Sequence, residues 1–326
     1  MKTAFLDYKT VDPGDLDLSH LRKIAPNLIL HDKTAADEVN KRIEDAAIII
    51  INKIKLDAAT LSQAKKVRLI CLVATGTDNV DLIAAKEQGI TVCNIKNYCT
   101  DSVAQHVVLS MLALSHHFDE YQVSLKQGLW QKSEQFCLLE YPITELSSKT
   151  LGIVGLGVLG KAVANLAVSF GMRILVAESF KPENSNKSIE QQKPEFKRVP
   201  FQDLVAQSDV VSLHCPLTAE TKGLFDLQAF KTMKKNALLI NTARGAVVDE
   251  LALSDALIHG EIAGAGLDVF VSEPGVGDHF ISLDNVLLSP HVGTATTETR
   301  DDMGLRVIEN IKMFLSTGQP LDKVEH

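Results

Sequence analysis

Three side chains in the second half of the chain, Arg244, Glu273 and His291, are of types that can act together on a small carbonyl acid. A guanidinium presents a rigid fork of donors that can bind a carboxylate and polarise the neighbouring carbonyl. An imidazole can give a proton to the carbonyl oxygen, and a nearby carboxylate can hold the ring in position and favour its charged form. The trio would suit hydride transfer to a 2-oxo acid, and none of these steps requires a metal.

Each of these residues also has a structural alternative. Arg244 could be an ordinary ion-pair partner, and His291 could be a buried histidine with satisfied hydrogen bonds. Glu273 precedes Pro274 and could cap a turn. The chemical interpretation depends on whether the fold brings the three together beside a cofactor.

A glycine-rich turn supplies the candidate cofactor site. The segment Leu151 to Gly160 reads LGIVGLGVLG, which places Gly155, Gly157 and Gly160 directly after an apolar run and at the start of a helical pattern. In a dinucleotide fold the three glycines allow a tight turn, a close approach of the pyrophosphate, and close packing of helix on strand. The free amides of the helix N-terminus bind the phosphates. This context predicts a dinucleotide site, the alternative being a glycine-rich turn without a ligand.

The acid at the end of the next apolar run indicates which dinucleotide. Glu178 follows Arg173 to Ala177, at the place where an acid would bind the adenosine ribose hydroxyls. A carboxylate there repels the 2′-phosphate of NADP, so NAD is the expected cofactor. Lys181 lies nearby, but a lone lysine in a loop is usually only solvated.

The elements that would position these residues follow an alternating pattern. Short Val/Ile/Leu-rich runs alternate with amphipathic segments, which is typical of βαβ units and a parallel sheet buried on both faces. In such a sheet ligands lie outside the carboxyl ends of the strands. The polar residues that follow successive runs would share one crevice there. The runs are Ala4 to Leu6, Ala46 to Ile51, Arg68 to Val73, Ile90 to Cys93, Leu151 to Val154, Arg173 to Ala177, Val210 to Leu213, Ala237 to Ile240, Gly264 to Val269 and Asn285 to Leu288.

Two features interrupt this alternation and indicate a domain change near residues 100 to 120. Asp101 to His117 reads as a long helix with Thr100 as its N-cap, and 127 to 148 shows no strand pattern. A last helix, Thr296 to Ser316, could finish the second domain or cross back to the first. The polar stretch from Lys181 to Arg198 is expected to be a surface insertion.

Composition narrows the class of protein. The chain has 326 residues, 45% of them apolar, which predicts a globular protein of two domains. A net charge of −8 makes nucleic acid an unlikely partner, and the apolar runs are too short to cross a membrane. The five cysteines show no CxxC pair, so neither a disulfide framework nor a metal site is expected. With no signal sequence evident, the cytoplasm is the expected location.

Taken together, these residues resemble the D-isomer-specific 2-hydroxyacid dehydrogenase family over essentially the whole chain. The resemblance implies an α/β fold of two doubly wound parallel sheets, with a Rossmann-type NAD-binding domain, 101–293, inserted in a flavodoxin-like substrate-binding domain, 1–100 and 294–326. It also implies that the last helix crosses back. The motifs that carry it are Gly155 to Gly160, Leu213 to Leu217, Ile240 to Gly245, Val247 to Glu250, Ala265 to Val269, Glu273-Pro274 and Ser289 to Gly293.

Position by position, the resemblance implies that Arg244, Glu273 and His291 are the catalytic residues. It places the substrate carboxylate on the backbone amides of Thr75 and Gly76, with Arg244 as a further substrate contact. Beyond the three glycines, the implied cofactor contacts are Val103, Val158, Leu159, Glu178, Cys215, Thr242, Ala243 and Asp268. From the residues alone, His214 is expected to be structural or cofactor-adjacent, and His106 to be packed on the apolar side of the long helix.

Within the family, the segment from Trp130 to Leu146 is most similar to glycerate dehydrogenases, also called hydroxypyruvate reductases. Hydroxypyruvate and D-glycerate are the expected substrate pair, ahead of glyoxylate, pyruvate or a branched 2-oxo acid. The resemblance also implies a homodimer that uses the long helix and the segment after it. A rival function is an NADH-responsive corepressor-like binding protein, which would not need the catalytic trio. A methyltransferase would explain only the glycine turn and Glu178.

Overall fold

The computed structural model describes residues 1–180 and 196–325, which form two compact units. The first comprises Met1–Cys99 and Thr294–His326, and the second comprises Thr100–Gly293. Each unit is built on one parallel sheet with helices on its faces, so the predicted α/β class with two parallel sheets is confirmed.

The first unit has a five-stranded sheet in the order β2-β1-β3-β4-β5. Two of its inner strands, Ile48–Ile51 and Leu69–Leu72, are fully buried apolar runs, because helices cover both faces of a parallel sheet. The order matches the flavodoxin-like doubly wound arrangement. The strands are β1 (Lys2–Phe5), β2 (Asn27–Leu30), β3 (Ile48–Ile51), β4 (Leu69–Leu72) and β5 (Thr91–Cys93), and the first helices are α1 (Ser19–Ile24), α2 (Val39–Ile43), α3 (Ala58–Gln63) and α4 (Leu82–Glu87).

The last helix, α13 (Thr297–Thr317), belongs to this first unit. Met303, Val307, Ile311 and Phe314 lie on one side of the helix and are buried against the sheet of the first unit. The last helix therefore crosses back to the first unit, which the hydrophobic pattern alone did not decide.

The second unit has a seven-stranded sheet in the order β12-β11-β10-β9-β6-β7-β8. Chain order reverses between β6 and β9, the topological switch point at which Rossmann folds bind dinucleotides. The strands are β6 (Thr150–Val154), β7 (Arg173–Ala177), β8 (Lys197–Val199), β9 (Val210–Leu213), β10 (Leu238–Asn241), β11 (Gly264–Leu267) and β12 (Val286–Leu288). The helices are α5 (Thr100–Ser115), α6 (Phe118–Lys126), α7 (Leu129–Lys132), α8 (Val158–Ser169), α9 (Phe201–Gln207), α10 (Leu227–Thr232), α11 (Glu250–Ile258) and α12 (Asp278–Ile281).

Two edge strands depart from the sequence-based expectation. Asn27–Leu30 is half exposed, and Lys197–Val199 carries two exposed charged residues at the edge of its sheet. Edge strands are often short and charged, so neither shows the buried aliphatic run that marks a central strand. The predicted surface insertion is therefore wrong at its end, where Lys197 and Arg198 pair with β7, while 181–195 lies outside the described residues.

Two smaller differences concern the ends of the long helix. Thr100 is the first residue of α5 and not its N-cap, and α5 ends at Ser115, before His117. All five cysteines are free. Within the described ranges, no helix is both long and apolar enough to span a membrane.

Candidate active site

The glycine turn has the geometry that a dinucleotide requires. Gly155 adopts a left-handed φ of 102°, and a Cβ there would lie 2.6 Å from the amide nitrogen of Cys215. A Cβ at Gly160 would lie 2.2 Å from the carbonyl oxygen of Gly155, so helix and strand can approach only without it. At Gly157 nothing lies within 4 Å of that position. The turn is therefore packed on the protein side and open where a pyrophosphate would approach.

The surroundings of this turn also fit a dinucleotide. Gly157 caps α8 without a side-chain hydrogen bond, which leaves the first helical amides, at Val158 and Leu159, available to an anion. The hydroxyl of Thr242 is buried and has no hydrogen-bond partner among the described residues, so a bound cofactor could complete its hydrogen bonding. Glu178 is exposed at the end of β7, beside the turn. When bound here, a nicotinamide dinucleotide would carry the hydride.

His291 and Glu273 form a close pair. Nδ1 of His291 lies 2.7 Å from Oε2 of Glu273, and both side chains are about three-quarters buried, with 27% and 29% exposed. Oε1 of the same carboxylate accepts from the amide of Phe270 at 2.9 Å, so the carboxylate itself is held. Because Nδ1 is bonded to the carboxylate, Nε2 is the nitrogen that can exchange a proton with a substrate.

Arg244 follows β10 in a loop that a buried amide holds. The Nδ2 group of Asn241 donates to the carbonyl of Arg244 at 3.0 Å, and its Oδ1 accepts from the amide of Ala243 at 3.0 Å. Nη1 of Arg244 donates to the carbonyl of Ala243 at 2.7 Å. The sequence placed Asn241 at a strand end but assigned it no role, because its two bonds depend on how the loop folds back.

Gly245 brings the Arg244 loop against the loop that carries Glu273. A Cβ at Gly245 would lie 2.1 Å from the carbonyl carbon of Phe270 and 2.4 Å from the amide nitrogen of Val271. The side chain of Glu250, in the first turn of α11, then accepts from the same Val271 amide at 2.7 Å. The two loops are therefore in direct backbone contact.

This contact predicts that Gly245→Ala destabilises the protein. The added methyl group must push backbone aside, which typically costs about 1–3 kcal/mol, equivalent to roughly 2–4 °C in Tm per kcal/mol for a unit of this size. Scanning calorimetry measures the change. The matched control is Gly304→Ala in α13, where nothing lies within 4 Å, and where alanine should stabilise the helix by about 0.5–1 kcal/mol. Equal Tm values for Gly245→Ala and the wild type would contradict the account.

Asp268 holds the segment that carries His291. Its carboxylate is almost completely buried and accepts from the amides of Val292 and Gly293, each at 2.8 Å. The sequence-based expectation made Asp268 a cofactor contact; the structure adds that its oxygens fix the backbone directly after His291.

His214 differs from His291 in its surroundings. Its Nε2 lies 2.8 Å from the hydroxyl of Ser212, and burial lowers the pKa of His214 to about 4. The ring is therefore neutral near pH 7 and is not suited to deliver a proton. Its Nδ1 is buried without a protein partner.

The remaining predicted residues lie in both units. Val103 on α5 and Cys215 after β9 are buried in the second unit, and burial raises the pKa of the Cys215 thiol to about 11. In the first unit, the hydroxyl of Thr75 donates to the carbonyl of Ile95 at 2.9 Å. With that side chain engaged, a carboxylate would have to use the backbone amides of Thr75 and Gly76.

Among residues 1–180 and 196–325, no group of three His, Cys, Asp or Glu side chains is arranged to hold a metal ion.

The family model for the D-isomer-specific 2-hydroxyacid dehydrogenase NAD-binding domain matches residues 108–293. The matched range lies entirely in the second unit and contains the glycine turn together with Arg244, Glu273 and His291.

Known relatives resemble the chain over most of its length. It is 41% identical to a glycerate dehydrogenase of Methylorubrum extorquens, over 89% of this chain and 88% of that one. It is 34% identical to a hydroxypyruvate reductase of Blautia hydrogenotrophica, over 99% of both chains. The structure of an NADPH-dependent glyoxylate/hydroxypyruvate reductase of Sinorhizobium meliloti, in complex with NADP and malonate, superimposes with a TM-score of 0.81 at 28% identity, covering 99% of this chain and 96% of that one.

The expected resemblance is confirmed by the family match, the relatives and the two-sheet fold together. The chain belongs to the D-isomer-specific 2-hydroxyacid dehydrogenase family and is an oxidoreductase that acts on the CH–OH group of a small hydroxy acid, with an NAD-binding domain in its second unit.

Proposed function

We propose that the enzyme reversibly reduces hydroxypyruvate to D-glycerate with NADH. The observation that carries the chemistry is the 2.7 Å pairing of His291 Nδ1 with Glu273 Oε2 in the same unit as the glycine turn. The choice of substrate is supported by the relatives named glycerate dehydrogenase and hydroxypyruvate reductase. Glyoxylate, pyruvate and branched 2-oxo acids are the alternatives within the same chemistry.

In this proposal the bound nicotinamide would supply the hydride, and residues of the chain bind the substrate, polarise its ketone and transfer the proton. Arg244 binds the substrate carboxylate with its fork of donors and polarises the ketone. His291 gives a proton from Nε2 to the ketone oxygen as the hydride arrives. Glu273 keeps the ring in place through its contact with Nδ1. In the reverse direction His291 removes the hydroxyl proton.

The other residues bind and orient. Backbone amides of Thr75 and Gly76 are proposed to bind the substrate carboxylate as well. Gly155, Gly157 and Gly160 provide the pyrophosphate turn, and Glu178 binds the ribose hydroxyls. The remaining proposed cofactor contacts are Val103, Val158, Leu159, Cys215, Thr242, Ala243 and Asp268.

A substrate panel with NADH tests this proposal. Hydroxypyruvate, glyoxylate, pyruvate and 2-oxoisocaproate are compared by the steady-state decrease of NADH absorbance, and hydroxypyruvate is expected to have the highest kcat/KM. Hydroxyacetone, which has the ketone but no carboxylate, is the matched control and should be a poor substrate. Absence of turnover with every acid, in protein that binds NADH, would refute the proposed function.

A charge-removing substitution tests the preference for NADH. The S. meliloti neighbour is NADPH-dependent, so the preference has to be measured for this chain. We expect Glu178→Gln to lower the NADH-to-NADPH ratio of kcat/KM by about tenfold, because repulsion of the 2′-phosphate is lost. Glu261→Gln also removes one negative charge, but before the start of β11, at the amino-terminal ends of the strands. It should leave the ratio unchanged. An unchanged ratio in Glu178→Gln would exclude Glu178 as the discriminating residue.

We also propose a homodimer formed through the long helix α5 and the segment after it, which includes α6 and α7. Large apolar side chains there face solvent, with Phe136 91% and Leu139 80% exposed. Such exposure in a group is typical of an interface. Phe136→Asp combined with Leu139→Asp should shift the mass measured by light scattering from dimer to monomer. Ile83→Asp, at an exposed apolar position on α4, is the control and should not. A monomeric wild type would refute the dimer.

We further propose a cytoplasmic location. The free state of all five cysteines supports it, because thiols are kept reduced in the cytoplasm.

A further inference from the structure

Two polar residues of the second unit, His106 and Ser289, form a chain of hydrogen bonds with Asp268 that the mechanism above does not use. The hydroxyl of Ser289, just after β12, donates to Asp268 Oδ1 at 2.7 Å. Nε2 of His106, on α5, lies 3.0 Å from the same hydroxyl and 3.6 Å from Asp268 Oδ1. These hydrogen bonds thus connect the long helix α5 to the carboxylate that holds the His291 segment.

The donors in this chain can be assigned from the chemistry of the groups. A carboxylate only accepts hydrogen bonds, and a serine hydroxyl has one proton to donate. Since Ser289 donates its proton to Asp268, it must accept from His106. His106 therefore carries a proton on Nε2. This settles which ring nitrogen of His106 donates. Hydrogen bonds are then donated in one direction, from His106 to Ser289 and from Ser289 to Asp268.

The segment 289–293 needs such support because of its backbone. His291 has a φ of 56°, in the left-handed region that costs a residue other than glycine roughly 1–2 kcal/mol. Asp268 accepts from the two amides that follow it, and the hydroxyl of Ser102 donates to the carbonyl of Gly293 at 2.6 Å. A Cβ at Gly293 would lie 2.9 Å from Asp268 Oδ2, so the carboxylate fits tightly against this backbone.

We propose that His106 and Ser289 are positioning residues: acting through Asp268, they hold the backbone of 289–293 so that the His291 imidazole stays bonded to Glu273. This inference rests on the proposed function only in that His291 is taken to be the proton donor. Ser102 and His106 stand one helical turn apart on α5, and both bond to the segment, so the helix serves as its rigid support. Loss of the Ser289 hydroxyl would leave the buried carboxylate short of a donor, and loss of His106 would leave that hydroxyl without the donor that orients it. Either change would leave the segment freer to move.

Four substitutions test the chain through kinetics. His106→Leu and Ser289→Ala should each lower kcat by about 10- to 100-fold, because small displacements of a catalytic group are costly, while the KM for the 2-oxo acid and the Kd for NADH stay within about threefold. His106→Gln keeps a donor near the same place and should recover most of kcat. Ser110→Ala is the matched control, since within the described part of the chain its hydroxyl bonds only to the carbonyl of His106 in α5.

The double variant and the stability of each variant sharpen this test. Because the two residues act in series, His106→Leu with Ser289→Ala should be no slower than the slower single variant by more than about twofold. A kcat equal to wild type in His106→Leu would overturn the proposal, even with a lower Tm, because a merely structural role would change stability alone. A failure of His106→Gln to exceed His106→Leu in kcat would also overturn it.

Imidazole nitrogen NMR gives a readout that does not depend on turnover. His106 should show the tautomer protonated on Nε2, and the Nδ1 signal of His291, assigned by its loss in His291→Asn, should shift in Ser289→Ala but not in Ser110→Ala. A His106 ring protonated on Nδ1 instead, or a His291 signal unaffected by Ser289→Ala, would overturn the inference. If the wild type reduces no 2-oxo acid, the proposed function fails, and these spectra still decide whether His106 and Ser289 hold His291.

Discussion

His291→Asn should lower kcat for 2-oxo acid reduction by about 10²- to 10⁴-fold, the usual contribution of a general acid. Asparagine is chosen because it tolerates the left-handed backbone found at this position, whereas alanine would add strain to the loss of the imidazole. Nothing in the glycine turn depends on the ring, so the Kd for NADH should change by less than about threefold. Stopped-flow reduction and fluorescence titration of NADH measure the two quantities.

A second histidine–carboxylate pair in the same unit provides the control for His291. His259 lies at the exposed end of α11, with Nδ1 3.1 Å from Asp255 Oδ1. His259→Asn removes a similar pair away from the strand ends and should leave kcat unchanged. If His291→Asn lost NADH binding in proportion to its activity, the assignment of His291 as proton donor would be wrong.

Arg244→Ala should lower kcat/KM for hydroxypyruvate by about 10³-fold, the scale of losing a group that stabilises developing charge at a carbonyl. Arg244→Lys keeps the charge but loses the two-pronged geometry, so we expect it to remain about 10²-fold below wild type. Both variants should bind NADH normally, since the Asn241 side chain bonds to the backbone of Ala243 and Arg244, and neither variant removes these two bonds.

The control is Arg173→Lys. Arg173 is exposed at the start of β7, so it lies at the amino-terminal ends of the parallel strands, away from Arg244 at their carboxyl ends. This variant should have wild-type kinetics. The weak reduction of hydroxyacetone serves as an internal comparison, because this substrate has the ketone that Arg244 polarises but no carboxylate contact to lose, so its turnover should fall less than that of hydroxypyruvate. A fall in hydroxyacetone turnover as large as that with hydroxypyruvate would show that Arg244 does not act by binding the carboxylate.

Most of the fold could be predicted because its central strands are fully buried. Burial on both faces of a parallel sheet leaves a continuous apolar sequence in Ile48–Ile51 and a nearly continuous one, interrupted by Ser212, in Val210–Leu213. The edge strands Asn27–Leu30 and Lys197–Val199 lack that signal, since they are exposed on one side. Lys197–Val199 has the charged composition of a loop, whereas Leu28 to Leu30 is an apolar run of three residues that the sequence-based assignment missed.

The candidate site could be predicted where one residue type has one physical reason to be present. Gly155 and Gly160 each stand where a Cβ would meet backbone atoms, which is why a spacing of glycines carried the information. The pairing of His291 with Glu273 followed from their chemistry and their place after neighbouring strands. In contrast, His106 and Ser289 act through a contact between segments far apart in the chain, and a common residue type at a loop or helix position indicates no such contact. Asn241 bonds to residues two and three positions along the chain, but these bonds form only when its loop folds back, which its residue type does not indicate.

The most direct test of hydride transfer is the fate of a deuterium label. NADH deuterated at C4, prepared separately as the two stereoisomers, is incubated with hydroxypyruvate, and the product is analysed by chiral chromatography with mass spectrometry. The account predicts D-glycerate with one deuterium at C2 from one of the two stereoisomers and none from the other. L-glycerate, or D-glycerate whose C2 hydrogen comes from solvent with either stereoisomer, would contradict direct hydride transfer by a D-specific dehydrogenase.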